Sequence, residues 1–184
     1  YLWKGTGESH MWNPNTISLL QHSSTQNDIE LFKKFETEAD NETEQAFTIR
    51  GLLDFNYQKN ESIPINEVES AKNIVKRFAT GAISLGSISK EAHETLAIAM
   101  NRIDARSNTG EGGEDPKRFS EEPNGDSKSS RMKQVASGRF GVTANYLVNS
   151  TDIQIKMAQG AKPGEGGQIP GHKISEYIAS IRKT

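Results

Sequence analysis

The spacing of apolar residues changes close to residue 62 of the chain. Before that point, apolar positions at helical spacing predict one helix over residues 14–22 and a second over residues 28–38. After it, short apolar runs alternate with amphipathic helical stretches. We therefore expect a mainly helical and irregular connecting region over residues 1–61 and an α/β domain over residues 62–184.

Four successive strand, loop and helix units are predicted in the second region. The predicted strands are residues 74–78, a short segment before Ser107, residues 132–136 and residues 153–157. The predicted helices are residues 67–72, 90–103, 143–148 and 175–184. Such units form a parallel sheet with right-handed crossovers, and four of them make half of a (β/α)8 TIM-type barrel. We expect this fold with only its first half present.

The longest predicted helix, residues 90–103, has both a start signal and an apolar stripe. Ser89 precedes it and is a good N-cap. The positions predicted to face the core are Ala92, Leu96, Ala99, Met100 and Ile103. By contrast, residues 116–130 are polar throughout, and we expect them to form a flexible surface loop without core residues.

Three polar, glycine-rich stretches follow predicted strands, at residues 80–89, 107–115 and 158–171. The last of these contains Gly160, Pro163, Gly164, Gly166, Gly167 and Pro170. That density is incompatible with a helix or a strand and predicts a tight loop. A single loop of this kind is most simply a surface turn. Three loops after parallel strands converge at one end of the sheet, where α/β enzymes build their sites.

The composition limits the classes of function. The net charge of -2 gives no electrostatic reason to expect nucleic acid as a partner. The absence of cysteine excludes a disulfide framework, a cysteine nucleophile and thiolate ligands for a metal or an iron-sulfur cluster. His93 and His172 lack the partner spacing of a metal site or a catalytic triad, so we predict no metal site and expect both to be structural or exposed.

Neither a signal peptide nor a run of membrane-spanning length is recognisable in the sequence. We therefore expect no membrane partner and a cytoplasmic location. The chain starts at Tyr1 and not at a methionine, so we expect it to be cut from a longer polypeptide.

Five stretches of the sequence resemble, in order, the FMN-binding synthase domain of glutamate synthase, which makes glutamate from glutamine and 2-oxoglutarate. They are HMWNPNTISLLQ, TGAISLGSISKEAHETLAIAMNRI, SNTGEGGEDPKRF, KQVASGRFGVTANYLVNS and IQIKMAQGAKPGEGGQIPGHK, and they cover nearly the whole chain. The departures are Ile83, where the family has methionine, and Asp104 and Ala105, where glycine is typical. A helix end can absorb these changes.

The resemblance implies a (β/α)8 barrel with FMN at its mouth, where reduced flavin gives a hydride to iminoglutarate formed from 2-oxoglutarate and ammonia. It also implies an iron-sulfur cluster and an amidotransferase domain in other parts of the parent protein. The electron donor is left open among NADPH, NADH and ferredoxin, so the expected partners include an NADPH-oxidising small subunit or ferredoxin. A plastid location is expected if the source is a photosynthetic eukaryote.

The resemblance also implies roles for individual residues. Those expected to hold 2-oxoglutarate are Ser84, Lys162, Gln168 and Arg182. Those expected to line FMN are Gly81, Ala82, Ser84, Gln134, Lys156 and Gln159. A role in communication with the ammonia-producing domain is expected for Glu111 and Glu114.

Several of these residues have simpler interpretations without the resemblance. Arg182 could be a solvated arginine or a charge at a helix C-terminus, Lys156 could point outward from a strand, and Ser84 could cap a turn.

Two other functions stay open at this point. One is a related FMN barrel such as a subunit of N-methylglutamate synthase, and the other is an inactive truncated fragment. The tryptophan-containing start and the full SNTGEGGEDPKRF run favour glutamate synthase. Because the expected barrel is open, we expect the isolated chain to bind FMN poorly or not at all and to be inactive.

Overall fold

The computed structural model describes residues 4–44, 47–57, 61–136, 140–157 and 169–183. The chain divides into two compact units, Tyr1–Ser62 and Ile63–Thr184. The first unit is built on two helices, and the second carries a sheet. Each unit is taken separately below.

The first unit is a pair of helices, α1 (Pro14–Gln26) and α2 (Ile29–Glu44), both longer than predicted. Asn13 caps α1, because its side-chain oxygen accepts hydrogen bonds from the backbone N–H groups of Asn15 and Thr16. Asn27, in the left-handed conformation, ends the helix. The aromatic rings of Trp12 and Phe35 stack at a centroid distance of 6.4 Å, joining the start of α1 to α2.

The second unit contains a parallel sheet of four strands in the order β1-β2-β3-β4. The strands are β1 (Ala79–Ala82), β2 (Arg106–Asn108), β3 (Met132–Val135) and β4 (Asp152–Ile155). Its helices are α3 (Ala71–Ile74), α4 (Lys90–Arg102), α5 (Ala144–Val148) and α6 (Glu176–Arg182). The predicted parallel α/β sheet is confirmed and is consistent with part of an α/β barrel. Closure of a (β/α)8 TIM-type barrel stays a prediction.

The first predicted strand and the helix before it were placed wrongly. Residues 74–78 contain the end of α3 and a 3-10 turn over Val75–Arg77, and β1 begins only at Ala79. The helix predicted over residues 67–72 is the shorter α3, for which the Ser70 side chain accepts a hydrogen bond from Asn73 N. A short apolar run has no clear period, so the cap decided between helix and strand.

Helix α4 begins where predicted and ends one residue earlier than predicted, and its cap is confirmed, since Ser89 Oγ accepts a hydrogen bond from Ala92 N. The predicted apolar stripe is wrong in detail. The buried residues of α4 are His93 and Ala97, whereas Ala92 and Ala99 are exposed. The helix is rotated in this way because His93 has a polar partner in the loop after β2, as shown below.

The polar residues 116–130 do contribute to the core, so the prediction of a surface loop without core residues is wrong. Arg118 and Ser130 are buried. The Asn101 side chain on α4 donates hydrogen bonds to the carbonyl oxygens of Ser127 and Ser129, both at 2.9 Å. Polar residues of this segment can therefore pack inside the unit because their backbone and side-chain groups find hydrogen-bond partners there.

Helix α6 lies against the loops at the carboxyl ends of the strands. Gly141 N donates a 3.1 Å hydrogen bond to Arg182 O, and Tyr177 OH donates a 3.0 Å hydrogen bond to Asp115 Oδ2. Arg182 Nη2 donates to Leu85 O at 3.4 Å. These contacts involve the segments that follow β1, β2 and β3, so α6 covers the end of the sheet at which those loops meet.

The centre of the second unit is ionic. The Glu114 carboxylate accepts hydrogen bonds from Lys133 Nζ at 2.5 Å and from Ser130 N at 2.8 Å, and it forms an ion pair with Arg118 Nη2 at 2.9 Å. Lys133 Nζ also donates to Ser130 O at 2.7 Å and to Ser129 Oγ at 3.2 Å. Burial lowers the pKa of Lys133, but three acceptors around Nζ hold it as an ammonium group.

His93 extends this arrangement to the loop after β2. Its Nε2 lies 2.9 Å from Thr109 O, and its Nδ1 lies 2.6 Å from Arg118 Nη1. A carbonyl only accepts and a guanidinium only donates, so the proton is on Nε2 and the ring is neutral. Burial, followed by the charge of Arg118, lowers the pKa of His93. We call His93, Glu114, Arg118 and Lys133 the buried ionic network.

The neutral His93 predicts a loss of stability in mild acid. Below about pH 6.5, His93 binds a proton in the unfolded state but stays neutral in the folded state, because its folded pKa is lower. The unfolded state then binds more protons, so the free energy of unfolding falls as the pH falls toward the folded pKa. His93→Gln keeps one donor and one acceptor but does not titrate. Denaturant unfolding from about pH 7.5 to pH 5 should therefore show a flatter pH dependence for His93→Gln.

The matched control is His172→Gln, which changes an exposed histidine of the same unit. We expect it to keep the wild-type pH dependence. An unchanged pH dependence in His93→Gln would contradict the assignment of a buried neutral imidazole.

Gly110 is predicted to be essential to the contact between the loops after β1 and β2. Its φ is +63°, and a Cβ there would lie 2.5 Å from Ser84 N. Gly125 also has a positive φ, +83°, but a Cβ there meets no atom of the described residues within 4 Å. Gly125→Ala should lower the free energy of unfolding by about 1–2 kcal/mol, from backbone strain alone. Gly110→Ala should lose about 1–3 kcal/mol more, because the backbone of Ser84 must also move.

Denaturant unfolding of both variants measures this difference. Equal losses of stability in Gly110→Ala and Gly125→Ala would show that the two loops separate easily.

Candidate functional site

The candidate site lies where the segments after β1, β2 and β4 meet. β1 leads to Ser84, β2 leads to Glu111 and β4 leads to Lys156. Helix α6 adds Arg182 from above the same edge of the sheet. Parallel strands place their carboxyl ends together, so residues far apart in the sequence become neighbours here.

The central contact of the site is an ion pair. Lys156 Nζ lies 2.9 Å from Glu111 Oε1, with side-chain exposures of 26% and 5%. The interpretation of Lys156 as a side chain that merely points outward from its strand is therefore wrong. The buried carboxylate of Glu111 holds the Lys156 ammonium in place, and the ammonium stays partly exposed to solvent.

Ser84 joins the first loop to the second. Its Oγ accepts a 3.2 Å hydrogen bond from Glu111 N. Close approach of the Gly110 backbone makes this possible, since a Cβ at that position would overlap Ser84. The Ser84 hydroxyl therefore supports the residue that binds Lys156, which is more than the cap of a turn.

Arg182 is buried, with 4% of its surface exposed, so it is not the solvated arginine that its position at a helix end suggested. Burial lowers the pKa of Arg182, and the charge of Glu111 acts in the opposite direction. Its guanidinium also lies 5.7 Å from the centre of the Phe140 ring. The arrangement holds a cation close to the carboxylate of Glu111.

Three carboxamide side chains form a ladder across β2, β3 and β4. Asn108 Oδ1 accepts from Gly110 N at 3.0 Å, which leaves Asn108 Nδ2 to donate to Gln154 Oε1 at 2.7 Å. Gln134 Nε2 donates to the same oxygen at 2.7 Å. The backbone N–H of Gly110 can only donate, so it fixes the orientation of all three amides.

Asn108 and Gln154 were not predicted from the sequence. The available signal was the strand period of two residues, which puts Gln154 on the same face of β4 as Lys156. The register pairs Gln154 with Gln134 on β3. Polar residues at alternate strand positions next to a predicted site residue could have identified them.

Gly81 and Ala82 belong to β1 at the same edge of the sheet. Both are exposed, and a Cβ on Gly81 would meet no atom of the described residues within 4 Å. The backbone of β1 is thus accessible to a ligand at this position.

The remaining predicted site residues are Lys162, Gln168, Gln159 and Glu114. Lys162, Gln168 and Gln159 lie outside the described residues. Glu114 is placed inside the unit, with its side chain fully buried in the buried ionic network. The role of Glu111 and Glu114 in communication between domains stays a prediction.

The groups present fit a flavin better than an iron-sulfur cluster. A flavin ring carries carbonyl oxygens and ring nitrogens, which match the ammonium of Lys156 and the amides of Gln134 and Gln154. Iron-sulfur clusters are held mainly by thiolates, and the sequence contains no cysteine. Among the residues that the structure describes, no three His, Cys, Asp or Glu side chains are grouped as a metal site requires.

None of the helices in the described ranges has the length and apolar character needed to cross a membrane.

Comparison with known proteins identifies the family of the chain. A family profile described as a conserved region in glutamate synthase matches residues 10–184. The large chain of NADPH glutamate synthase from Bacillus subtilis is 54% identical over 182 residues, which are 99% of this chain and 12% of that protein. The NADH glutamate synthase of Schizosaccharomyces pombe is 50% identical over 182 residues, 99% of this chain and 9% of that protein.

A third relative has a different electron donor in its name. The ferredoxin-dependent glutamate synthase of Cyanidium caldarium is 47% identical over 194 residues, which cover 96% of this chain and 12% of that protein. The chain thus spans only about a tenth of the length of these relatives, as a segment of the large subunit. The resemblance read from the five sequence stretches is confirmed, and the chain belongs to the glutamate synthase family.

Proposed function

We propose that this chain is the segment of a glutamate synthase that holds FMN and 2-oxoglutarate. The parent protein would form L-glutamate from 2-oxoglutarate and glutamine-derived ammonia, as an oxidoreductase of ammonia assimilation. The observation that carries the proposal is the ion pair between Lys156 and Glu111, held between loops that converge at one end of a parallel sheet. Family membership supplies the class of reaction.

The 2-oxoglutarate dianion would be bound by Arg182 and Ser84, together with Lys162 and Gln168. A guanidinium can hold a carboxylate through two parallel hydrogen bonds, and a hydroxyl adds a neutral donor. A buried guanidinium supports an anionic ligand, because hydrogen bonds between a guanidinium and a carboxylate are strong where water is excluded. The positive charge of Arg182 supports an anionic ligand, and membership of the family supports a dicarboxylate.

FMN would be held by the backbone of Gly81 and Ala82, and by Ser84, Gln134, Lys156 and Gln159. When bound, reduced FMN supplies the hydride that turns the imine of 2-oxoglutarate into glutamate.

The proposed role of the residues of this chain is to bind and orient the ligands. The amide ladder fixes Gln134 Nε2 as a donor to Gln154, and Glu111 fixes the ammonium of Lys156. Both groups are therefore held in position before a ligand arrives.

The remaining parts of the reaction belong to the rest of the parent protein. Ammonia production needs the amidotransferase domain, and electron delivery needs an iron-sulfur cluster whose ligands are not in this chain. The names of the relatives include NADPH, NADH and ferredoxin, so the electron donor is the variable feature of this proposal. The location would be cytoplasmic, or plastid as in the chloroplastic relative of Arabidopsis thaliana.

Lys156→Met is expected to weaken FMN binding by the full-length protein. The change removes a charged donor and leaves the buried carboxylate of Glu111 without this partner, so the FMN dissociation constant should rise about tenfold. Quenching of flavin fluorescence measures the constant. The control Lys117→Met removes an exposed lysine of the same unit and should leave FMN affinity unchanged. Equal affinities in wild type and Lys156→Met would remove Lys156 from the FMN site.

Arg182→Lys is expected to weaken 2-oxoglutarate binding while leaving FMN bound. Lysine keeps the charge but cannot form two parallel hydrogen bonds, so the dissociation constant should rise about tenfold. Perturbation of the flavin absorbance by added 2-oxoglutarate measures it. Arg102→Lys, at an exposed ion pair on α4, is the matched control. If both variants bind 2-oxoglutarate like wild type, Arg182 is not a ligand.

A further inference from the structure

The loop over residues 109–114 is held at both ends by the buried ionic network. At its start, His93 Nε2 donates to Thr109 O at 2.9 Å. At its end, the Glu114 carboxylate is held by Lys133 and Arg118. Between these two anchors lies Glu111, whose carboxylate binds Lys156.

We infer that His93, Arg118 and Lys133 are positioning residues for the candidate site. They act through Thr109 and Glu114 on the loop that carries Glu111. The inference rests on the proposed function, because the site they position is the one assigned to FMN and 2-oxoglutarate. It gives a role to charged groups that the proposed reaction does not use directly.

The loop needs anchors because of its composition. It contains Gly110, Gly112 and Gly113, and both Gly110 and Gly113 have a positive φ, of +63° and +76°. Glycine has more backbone freedom to lose on folding than any other residue, so a loop of this kind is not ordered by its own sequence. Fixing Thr109 and Glu114 leaves only four residues between the anchors, including Glu111.

Two further hydrogen bonds connect Gln134, the residue next to Lys133, to residues around the buried ionic network. Gln134 N donates to Thr109 Oγ1 at 3.1 Å, and Tyr146 OH donates to Gln134 O at 2.7 Å. Both backbone groups of Gln134 are therefore bound to residues that contact the network. The positions of Glu111, in the loop after β2, and of Gln134, on β3, are set by one set of buried contacts.

Burial of these charges is not explained by stability alone. Replacing a buried ion pair by apolar residues of similar volume is often neutral or stabilising, whereas removing one partner of a pair is strongly destabilising. Ionic hydrogen bonds have a direction, unlike apolar contacts, and can hold a loop in a single geometry. A positional requirement at Glu111 accounts for the charged core.

Lys133→Met is the variant that tests the inference most cleanly. It keeps the apolar stem and leaves Glu114 paired with Arg118 and with Ser130 N. Glu114 therefore keeps a partner in this variant. A neutral substitution of Glu114 would instead remove the shared carboxylate partner of Lys133 and Arg118. Arg102→Met is the control, since it breaks an exposed ion pair with Asp126 in the same unit.

The first measurement is amide hydrogen exchange in the full-length protein. Lys133→Met should raise exchange in peptides covering residues 109–115, and Arg102→Met should leave these peptides unchanged. This readout does not depend on FMN. Unchanged exchange in Lys133→Met would overturn the inference, even if the proposed function is correct.

The second measurement is FMN affinity in a double-mutant cycle of Lys133→Met and Lys156→Met. Lys133→Met alone should weaken FMN binding about fivefold. If Lys133 acts through Glu111 on Lys156, the double variant should lose less affinity than the product of the two single losses. Losses that multiply would mean that Lys133 has a purely structural role, and would overturn the positioning role.

Two further arms separate the possible failures. A wild-type protein that does not bind FMN, with raised exchange over residues 109–115 in Lys133→Met, rejects the proposed function and retains the positioning of Glu111. If Lys133→Met does not fold, Arg118→Lys replaces it, because it keeps the charge beside Glu114 and loses the bond to His93. Arg118→Lys should raise exchange over the same residues, and unchanged exchange would again overturn the inference.

Discussion

The second unit depends on one carboxylate, that of Glu114, which is shared by two buried cations. Lys133 comes from β3 and Arg118 from the polar segment after β2, and both side chains are almost inaccessible to solvent. An unpaired charge at this depth would cost several kcal/mol, so the three side chains must meet in one geometry. That constraint fixes the segment between β2 and β3, and through His93 it reaches α4.

The buried ionic network also holds the loop that carries Glu111 of the candidate site. Apolar packing tolerates small shifts, whereas hydrogen bonds between charged groups tolerate little. The loop after β2 carries Glu111 on a glycine-rich backbone, and its neighbours in space are the loop after β1 and Lys156 after β4. The buried ionic network therefore holds this loop in one conformation, which its glycines do not. The glycines in turn permit the close backbone contact with the loop after β1.

The segment also shows how a site is distributed over a long chain. Ser84, Glu111, Lys156 and Arg182 come from four separate stretches, and each stretch is glycine-rich or helical for a local reason. The relatives are about ten times longer than this chain, which matches one segment of them. Within the described residues, these four side chains are held by contacts inside this segment.

The sequence by itself determined the family, the parallel α/β alternation, and α4 with its cap at Ser89, because these depend on local patterns and long motif matches. It could not decide residues 74–78, since a short apolar run fits a helical turn and a strand equally well. It also missed the burial of Arg118 and Lys133, and it left His93 open between a structural and an exposed position. A polar side chain is buried only when partners arrive from elsewhere, and Lys133 and Glu114 are 19 residues apart. Only the tertiary structure could bring those partners together.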